Sequence, residues 1–326
     1  MNNDPQMNAL RALGRSVRKR VLRGRREPRE WSALAGVAAS DQQYEIDRIS
    51  EEGLLDAVAS HCAPLLPLRV LSEGLDPAGV IVGKGEPQQL LIIDPVDGTR
   101  GLMHDKRSAW FLAALAPLPD ARLRTITHAV MVELPHARTH LSDVLAVGPQ
   151  GPLLASTDDL SADTSRAIAP RPSQAAELRH GFATVVRFFG GASELLGRVH
   201  DALLAALHPD DPLARQDAFE DQYISSGGQM HALITGRDRF VADLRPLAAR
   251  ALGIKVRSAH PYDLLALPIA ERCGVIITDA HGAPLDAPLD ITTPVAWVGY
   301  ASAALRARVE PALQSSLLST GLVQPH

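Results

Sequence analysis

Asp94-Pro95-Val96-Asp97-Gly98-Thr99 closes the apolar run Leu90-Leu91-Ile92-Ile93, so two carboxylates, a glycine and a hydroxyl fall within six residues. A strand that delivers Asp94 to its carboxyl end and turns at Pro95 leaves both acids in one crevice. The backbone carbonyl of Val96 can face the same point. Three hard oxygens of this kind suit magnesium rather than zinc. Gly98 lets the backbone approach a ligand closely, and the amides of Gly98 and Thr99 can hold a phosphate oxygen. Taken alone, the same six residues also read as a strand followed by an ordinary Pro/Asp/Gly turn.

Further acids flank this motif at a distance. Glu73 closes the short apolar run Leu68-Arg69-Val70-Leu71, and its neighbour Gly74 would equally suit a plain turn. Asp47 opens a helical pattern through Ile49, Leu54, Val58 and Cys62, among the solvated types Arg48, Glu51 and Glu52. Asp263, in Pro261-Tyr262-Asp263-Leu264-Leu265, opens an apolar helical run leading to Gly274 and the strand-like Val275-Ile276-Ile277-Thr278. Helix capping alone would account for an Asp there.

In order, these are an acid on a helix, an acid after a strand, D-P-x-D-G-T, and an aromatic-Asp pair opening a late helix. That arrangement, from about Asp41 to Tyr300, resembles the inositol monophosphatase family. The family lies in a lithium-sensitive, magnesium-dependent phosphatase superfamily that also holds fructose-bisphosphatases and 3′-phosphoadenosine phosphatases. The resemblance implies an α/β (α+β) chain in a layered α/β/α/β/α sugar-phosphatase fold. It implies hydrolysis of a small phosphate monoester, such as an inositol monophosphate or a related polyol or sugar phosphate, with two or three Mg2+ ions and a homodimeric assembly. By the same resemblance Asp94 bridges two metals, Glu73 and the Val96 carbonyl complete the first, and Asp97 and Asp263 complete the second. Thr99 paired with Asp47 matches the catalytic pair that orients and deprotonates the attacking water; Glu73 joins them through the metal that activates it. Gly98 and Thr99 fall at the phosphate, and Ser226 and Asp243 near the substrate's hydroxyls. Arg100 could meet a second anionic group, although a surface arginine is the commoner outcome.

The sequence departs from the family pattern in three places, one being that nothing matches the lysine that often precedes the first acid motif. Gly74 stands where a second acid is usual. Around the distal acid, Tyr262 replaces Trp, and Leu264-Leu265-Ala266-Leu267-Pro268 replaces small residues. Ser225-Ser226-Gly227-Gly228-Gln229 suits a polyol-binding helix start, or simply a capped helix N-terminus.

Composition bounds the alternatives. In 326 residues, 46% hydrophobic content with 21% charged residues describes a globular chain rather than a disordered one. No stretch approaches the ~20 apolar residues of a membrane span. Cys62 and Cys273 are far apart in sequence and imply neither a disulfide framework nor a zinc site, so a reducing, cytoplasmic setting is expected. Residues 1–30 hold nine Arg/Lys against three acids, leaving 24 basic and 34 acidic residues in the remainder. Leu10, Leu13, Val17 and Val21 lay an apolar stripe on this basic segment. A docked helix with a solvated basic face is favoured, and contact with nucleic acid or an acidic partner is the competing reading. A non-catalytic regulator, bound through this segment, is therefore the alternative from a different class of function. Within the enzyme class the alternatives are 3′-phosphoadenosine or fructose-bisphosphate phosphatase.

The spacing predicts a helix over Tyr44–Ala63 and strands at Leu68–Leu71, Gly79–Val82, Leu90–Ile93, Trp110–Ala116, Thr125–Leu134 and His140–Val147. Short turns between successive strands argue for antiparallel pairing. Residues 156–181 are polar with no sustained period, which sets the expected boundary between an N-terminal half, 1–155, and a C-terminal half, 156–326. Beyond it, strands are expected at Thr184–Phe189, Phe240–Leu244, Val275–Thr278 and Val295–Tyr300. Helices are expected at Gly191–Leu207, Ser225–Thr235, Tyr262–Cys273 and Ala301–Leu318.

Overall fold

A computed structural model describes residues 4–25, 34–37, 42–44, 51 and 53–323. The chain begins with helix α1 (Pro5–Gly24), capped by Asp4, whose carboxylate accepts from the amides of Gln6 and Met7. Its stripe Leu10, Leu13, Val17 and Val21 is fully buried. Strands β1 (Leu34–Val37) and β2 (Gln42–Tyr44) pair as a small antiparallel ladder, and α2 spans Leu54–His61.

The large sheet is built from β3 (Leu68–Ser72), β4 (Val80–Val82), β5 (Gln89–Asp97), β6 (Ala109–Pro117), β7 (His128–Leu134), β8 (Leu141–Val147), β9 (Leu154–Asp159) and β10 (Thr164–Ala167), with α3 (Thr99–Met103) between β5 and β6. Its order is β10-β9-β8-β7-β6-β5-β3-β4. Every pairing is antiparallel except β3 with β5, which run parallel against the expectation drawn from short turns. The second sheet contains β11 (Gly181–Val185), β12 (Ala218–Phe219), β13 (Asp238–Asp243), β14 (Ile276–Thr278) and β15 (Trp297–Tyr300), ordered β12-β11-β13-β15-β14. Helices α4 (Ser193–Leu207), α5 (Ser226–Ile234), α6 (Arg245–Leu252), α7 (Leu267–Arg272) and α8 (Ala303–Ser319) complete the chain.

Two cores account for the layering. Leu91, Ile93, Phe111, Ala113, Val130 and Val132 point to one face of the large sheet, where α1 and α2 cover them. Gly14 permits this close approach, since a Cβ there would lie 2.6 Å from Val132. Leu90, Ile92, Leu112, Ala114 and Met131 point to the other face and join one continuous core with α5, α7, the second sheet, α4 and α8. The result is a layered α/β/α/β/α architecture.

Several expectations need correction. The strand before the acidic motif does not stop at Ile93 but runs on through Asp97 with a register shift against β6. Residues 156–181 contain the end of β9 and the whole of β10, an exposed, polar edge strand whose pattern lacks the apolar alternation of a covered one. The expected helix Tyr44–Ala63 is helical only from Leu54 over its continuous described stretch, and Tyr44 belongs to β2. Tyr262–Cys273 is a 3-10 turn (Pro261–Leu264) followed by α7, not one helix. The strand expected over Thr184–Phe189 ends at Val185, which frees Phe188 and Phe189 from the sheet. No helix among the described residues is long and apolar enough to cross a membrane.

Candidate metal centre and substrate cavity

Pro95 has no amide proton to give to the ladder, and β5 bulges where it occurs. Asp94 pairs with Leu112 and Asp97 with Trp110, so three steps on β5 oppose two on β6. In an unbroken strand Asp94 and Asp97 would point to opposite faces. The extra residue re-aims Asp97 to the face of Asp94, while Val96 packs into the core beneath α1 and α2. Asp263 is brought to the same point by the 3-10 turn from the C-terminal part of the chain. Oxygen atoms of Asp94, Asp97 and Asp263 lie within 4.8 Å of one another, the close acidic cluster found among the described residues.

Each acid is held in place. Asp97 accepts from the Ser225 hydroxyl at 2.7 Å, the Gly227 amide at 2.6 Å and the Ser226 amide at 3.3 Å, so its carboxylate sits on the N-terminus of α5. Asp94 accepts from the Val96 amide at 3.0 Å. Asp263 accepts from the His260 amide at 2.7 Å. Gly98 has φ of 95°, and a Cβ there would lie 2.9 Å from Ser225, so the motif and α5 meet at a point that admits only glycine. The Thr99 hydroxyl donates to the Val96 carbonyl at 2.9 Å.

The electrostatics fit a cation. Burial, and then the charges of Asp97, Asp263 and Glu73, push the Asp94 carboxyl well above its ordinary range. Burial and the charge of Asp263 raise Asp97 to about 7, against the hydrogen bonds from α5 that oppose the rise. Carboxylates buried together in this way destabilise one another's ionised forms unless a positive charge joins them. An all-oxygen donor set of this kind matches a hard divalent ion.

The acids open into a cleft with about 890 Å³ of space, the open solvent at its mouth included. Of the residues expected from sequence, Glu73, Asp94, Val96, Asp97, Gly98, Thr99, Ser226 and Asp263 all line it. Asp47 lies outside the described residues. Ser226 is buried and its amide serves Asp97. Asp243, expected near a substrate hydroxyl, does not line the cavity: it is fully buried and bound by Arg245 at 2.8 and 2.5 Å.

Some lining residues escaped the sequence reading. Glu51, taken there as a solvated residue, lines the cavity, and its carboxylate occupies the space into which a side chain at Gly74 would grow. Gly74, where a second acid is usual, is the signal that could have pointed to it. His260, stacked on Tyr262 at 5.7 Å, also lines the cavity, with its Nδ1 3.7 Å from the Asp263 carboxylate. Phe188, Phe189, Arg245 and Arg257 also line the cavity, and no local pattern marks them.

No family model matches the sequence, and no curated protein does. Solved structures do match. Fructose-1,6-bisphosphatase from Leishmania major in its holo form aligns with a TM-score of 0.69 at 14% identity, over 94% of this chain and 92% of that one. The extragenic suppressor protein suhB from Bartonella henselae aligns at 0.65 and 15%, over 95% and 99%. The IMPase TM1415 from Thermotoga maritima aligns at 0.61 and 16%, over 95% and 96%. At such identities the likeness establishes that this chain shares the fold of those structures.

Proposed function

We propose that the protein is a magnesium-dependent phosphomonoesterase acting on a small sugar, polyol or related phosphate ester. The observation that carries this reading is the convergence of Asp94, Asp97 and Asp263 from distant parts of the chain, within 4.8 Å, in an open cleft. The solved structures named an inositol monophosphatase and a fructose-1,6-bisphosphatase have the same fold and support the reaction class.

In this reading Asp94, Asp97, Asp263, Glu73 and the Val96 carbonyl hold the cations. Bound magnesium supplies neutralisation of the phosphoryl group, activation of the attacking water and stabilisation of the leaving oxygen. The chain does the rest. The amides of α5 and the Ser225 hydroxyl fix the Asp97 carboxylate, so its orientation is set before substrate arrives. Gly98 opens the approach to the phosphate beside Thr99. The Thr99 hydroxyl, tethered to Val96, is the group that with Asp47 would orient the water and accept its proton. A homodimer and a cytoplasmic location belong to the same reading.

Phosphate release tests it across inositol 1-phosphate, fructose 1,6-bisphosphate, glycerol 3-phosphate and adenosine 3′,5′-bisphosphate, with magnesium or with chelator. Turnover of at least one ester, lost in chelator, is expected. No turnover of any of them, or turnover indifferent to chelator, would set the reading aside.

A further inference from the structure

Helix α5 carries the amides that hold Asp97, and all nine of its residues, Ser226–Ile234, are buried. His231 is the one ionisable side chain among them. A buried imidazole is costly unless its polar atoms find partners. Here the partner comes from another layer: Nε2 lies 3.1 Å from the Asp143 carboxylate on β8. The other Asp143 oxygen accepts from the Thr157 hydroxyl on β9 at 2.6 Å. Burial would raise the Asp143 carboxyl, but the bonds from His231 and Thr157 bring it below its ordinary value. Asp143 is therefore an acceptor only, and His231 Nε2 carries the proton between them.

Gly227 and His231 are four residues apart and share one face of the helix. Gly227 donates to Asp97 on β5 at 2.6 Å, and His231 reaches Asp143 on β8 about 6 Å further along the axis. The helix is thus pinned to the large sheet at two carboxylates, and β6 and β7 lie between the strands that carry them. Trp110 of β6, the ladder partner of Asp97, packs its ring 4.4 Å from that of His231. Its Nε1 donates to the Tyr223 hydroxyl at 3.2 Å, and the Tyr223 ring fills the space where a side chain at Gly228 would grow. A buried charged pair often stabilises a fold no more than an apolar pair of similar volume. What it adds is direction, since a hydrogen bond is lost when the helix turns and an apolar contact is not.

We infer that His231 is a positioning residue: through Asp143 it fixes the rotation of α5, and so aims the Ser226 and Gly227 amides that orient the Asp97 carboxylate. Its effect on magnesium, though not on Asp97, rests on reading the acidic cluster as a metal centre.

Hydrogen exchange over residues 225–229 in chelator reads the positioning without metal, and calorimetry reads the magnesium Kd. His231→Leu keeps the bulk and loses the bond, whereas His231→Gln keeps a donor that reaches the position of Nε2. His128→Leu is the control, since it removes another buried His–carboxylate pair, His128 with Asp4 at 3.1 Å, at the cap of α1. His231→Leu should exchange about tenfold faster over 225–229 than the parent and raise the magnesium Kd about tenfold or more. His231→Gln should bring both back to within about threefold, and His128→Leu should move neither beyond about twofold. Should His231→Leu not fold, Asp143→Asn, which keeps the shape and loses the charge, stands in for it. Parental exchange and Kd in the folded variant would overturn the role. The same loss in His128→Leu would also overturn it, because it would mark a general loosening. Faster exchange at 225–229 in a chain that binds no magnesium would keep the positioning of Asp97 and reject the metal centre. Magnesium binding indifferent to both His231 and Asp143 would do the reverse.

Discussion

Asp97 shows how a single residue is given two duties. It caps α5 through three hydrogen bonds and belongs to the acidic cluster, so the helix and the candidate metal centre share one carboxylate. Gly98 beside it is a point of contact between β5 and α5. Gly98→Ala forces an L side chain to φ near 95° and into Ser225. A loss of about 1–3 kcal/mol is expected, read as a lowered urea midpoint at unchanged slope. A midpoint equal to the parent's would mean that the contact yields freely. The acids themselves should respond to metal. Because their mutual repulsion is relieved by a cation, magnesium at about a hundred times its Kd should stabilise the chain by about 2.7 kcal/mol over the chelated form. Asp263→Asn should reduce that gain, and thermal melts with and without chelator measure both. A magnesium-independent melting temperature in the parent would count against a metal centre.

At the scale of elements, α1 is docked through part of the basic segment. Arg15 and Arg18 bind Asp158 on β9 at 2.9 Å and tie the helix to the sheet, and Arg25, at the helix end, binds Asp105 in the turn before β6 at 2.6 Å. Burial alone would raise the Asp158 carboxyl, but hydrogen bonds from Arg15, Ser165 and Arg18 overcome it and bring it down to about 2. A carboxylate whose folded value lies below its unfolded value of 3.8 stabilises the fold above that value, and the stabilisation is lost as pH falls through 2. Asp158→Asn should therefore cost on the order of 2 kcal/mol at neutral pH and flatten the acid limb of the stability profile between pH 4 and 2. Denaturant titrations at stepped pH measure it. An unchanged profile would mean that the arginines do not anchor α1 through Asp158. The apolar stripe of α1 was legible in the sequence because burial follows its period of 3.6. The polar strand β10 was not, because an exposed edge imposes no alternation. The bulge at Pro95 was half legible: proline announces a break in pairing, but only the register against β6 shows that the strand resumes and turns Asp97 to the side of Asp94.

At the scale of the molecule, the candidate site exists because two sheets share one core. Asp94 and Asp97 come from β5 of the large sheet, Glu73 from the turn that follows β3, and Asp263 from the turn before α7. Their order along the chain was readable as a motif, and so was the layered fold it implied. The pairing of His231 with Asp143 was not, since their meeting depends on how the layers pack rather than on any spacing within one segment. Glu51 escaped for a related reason: its neighbours in sequence are solvated types, and its place against Gly74 comes from packing between segments. The most direct test is the initial rate of phosphate release as magnesium is titrated, for the parent and for Asp94→Asn on the best ester. The parent's rate should rise from near zero to saturation. The variant, which keeps the shape of Asp94 and loses its charge, should stay about a hundredfold or more below it. A parent rate that does not depend on magnesium, or a variant that matches the parent, would contradict a metal-dependent phosphatase.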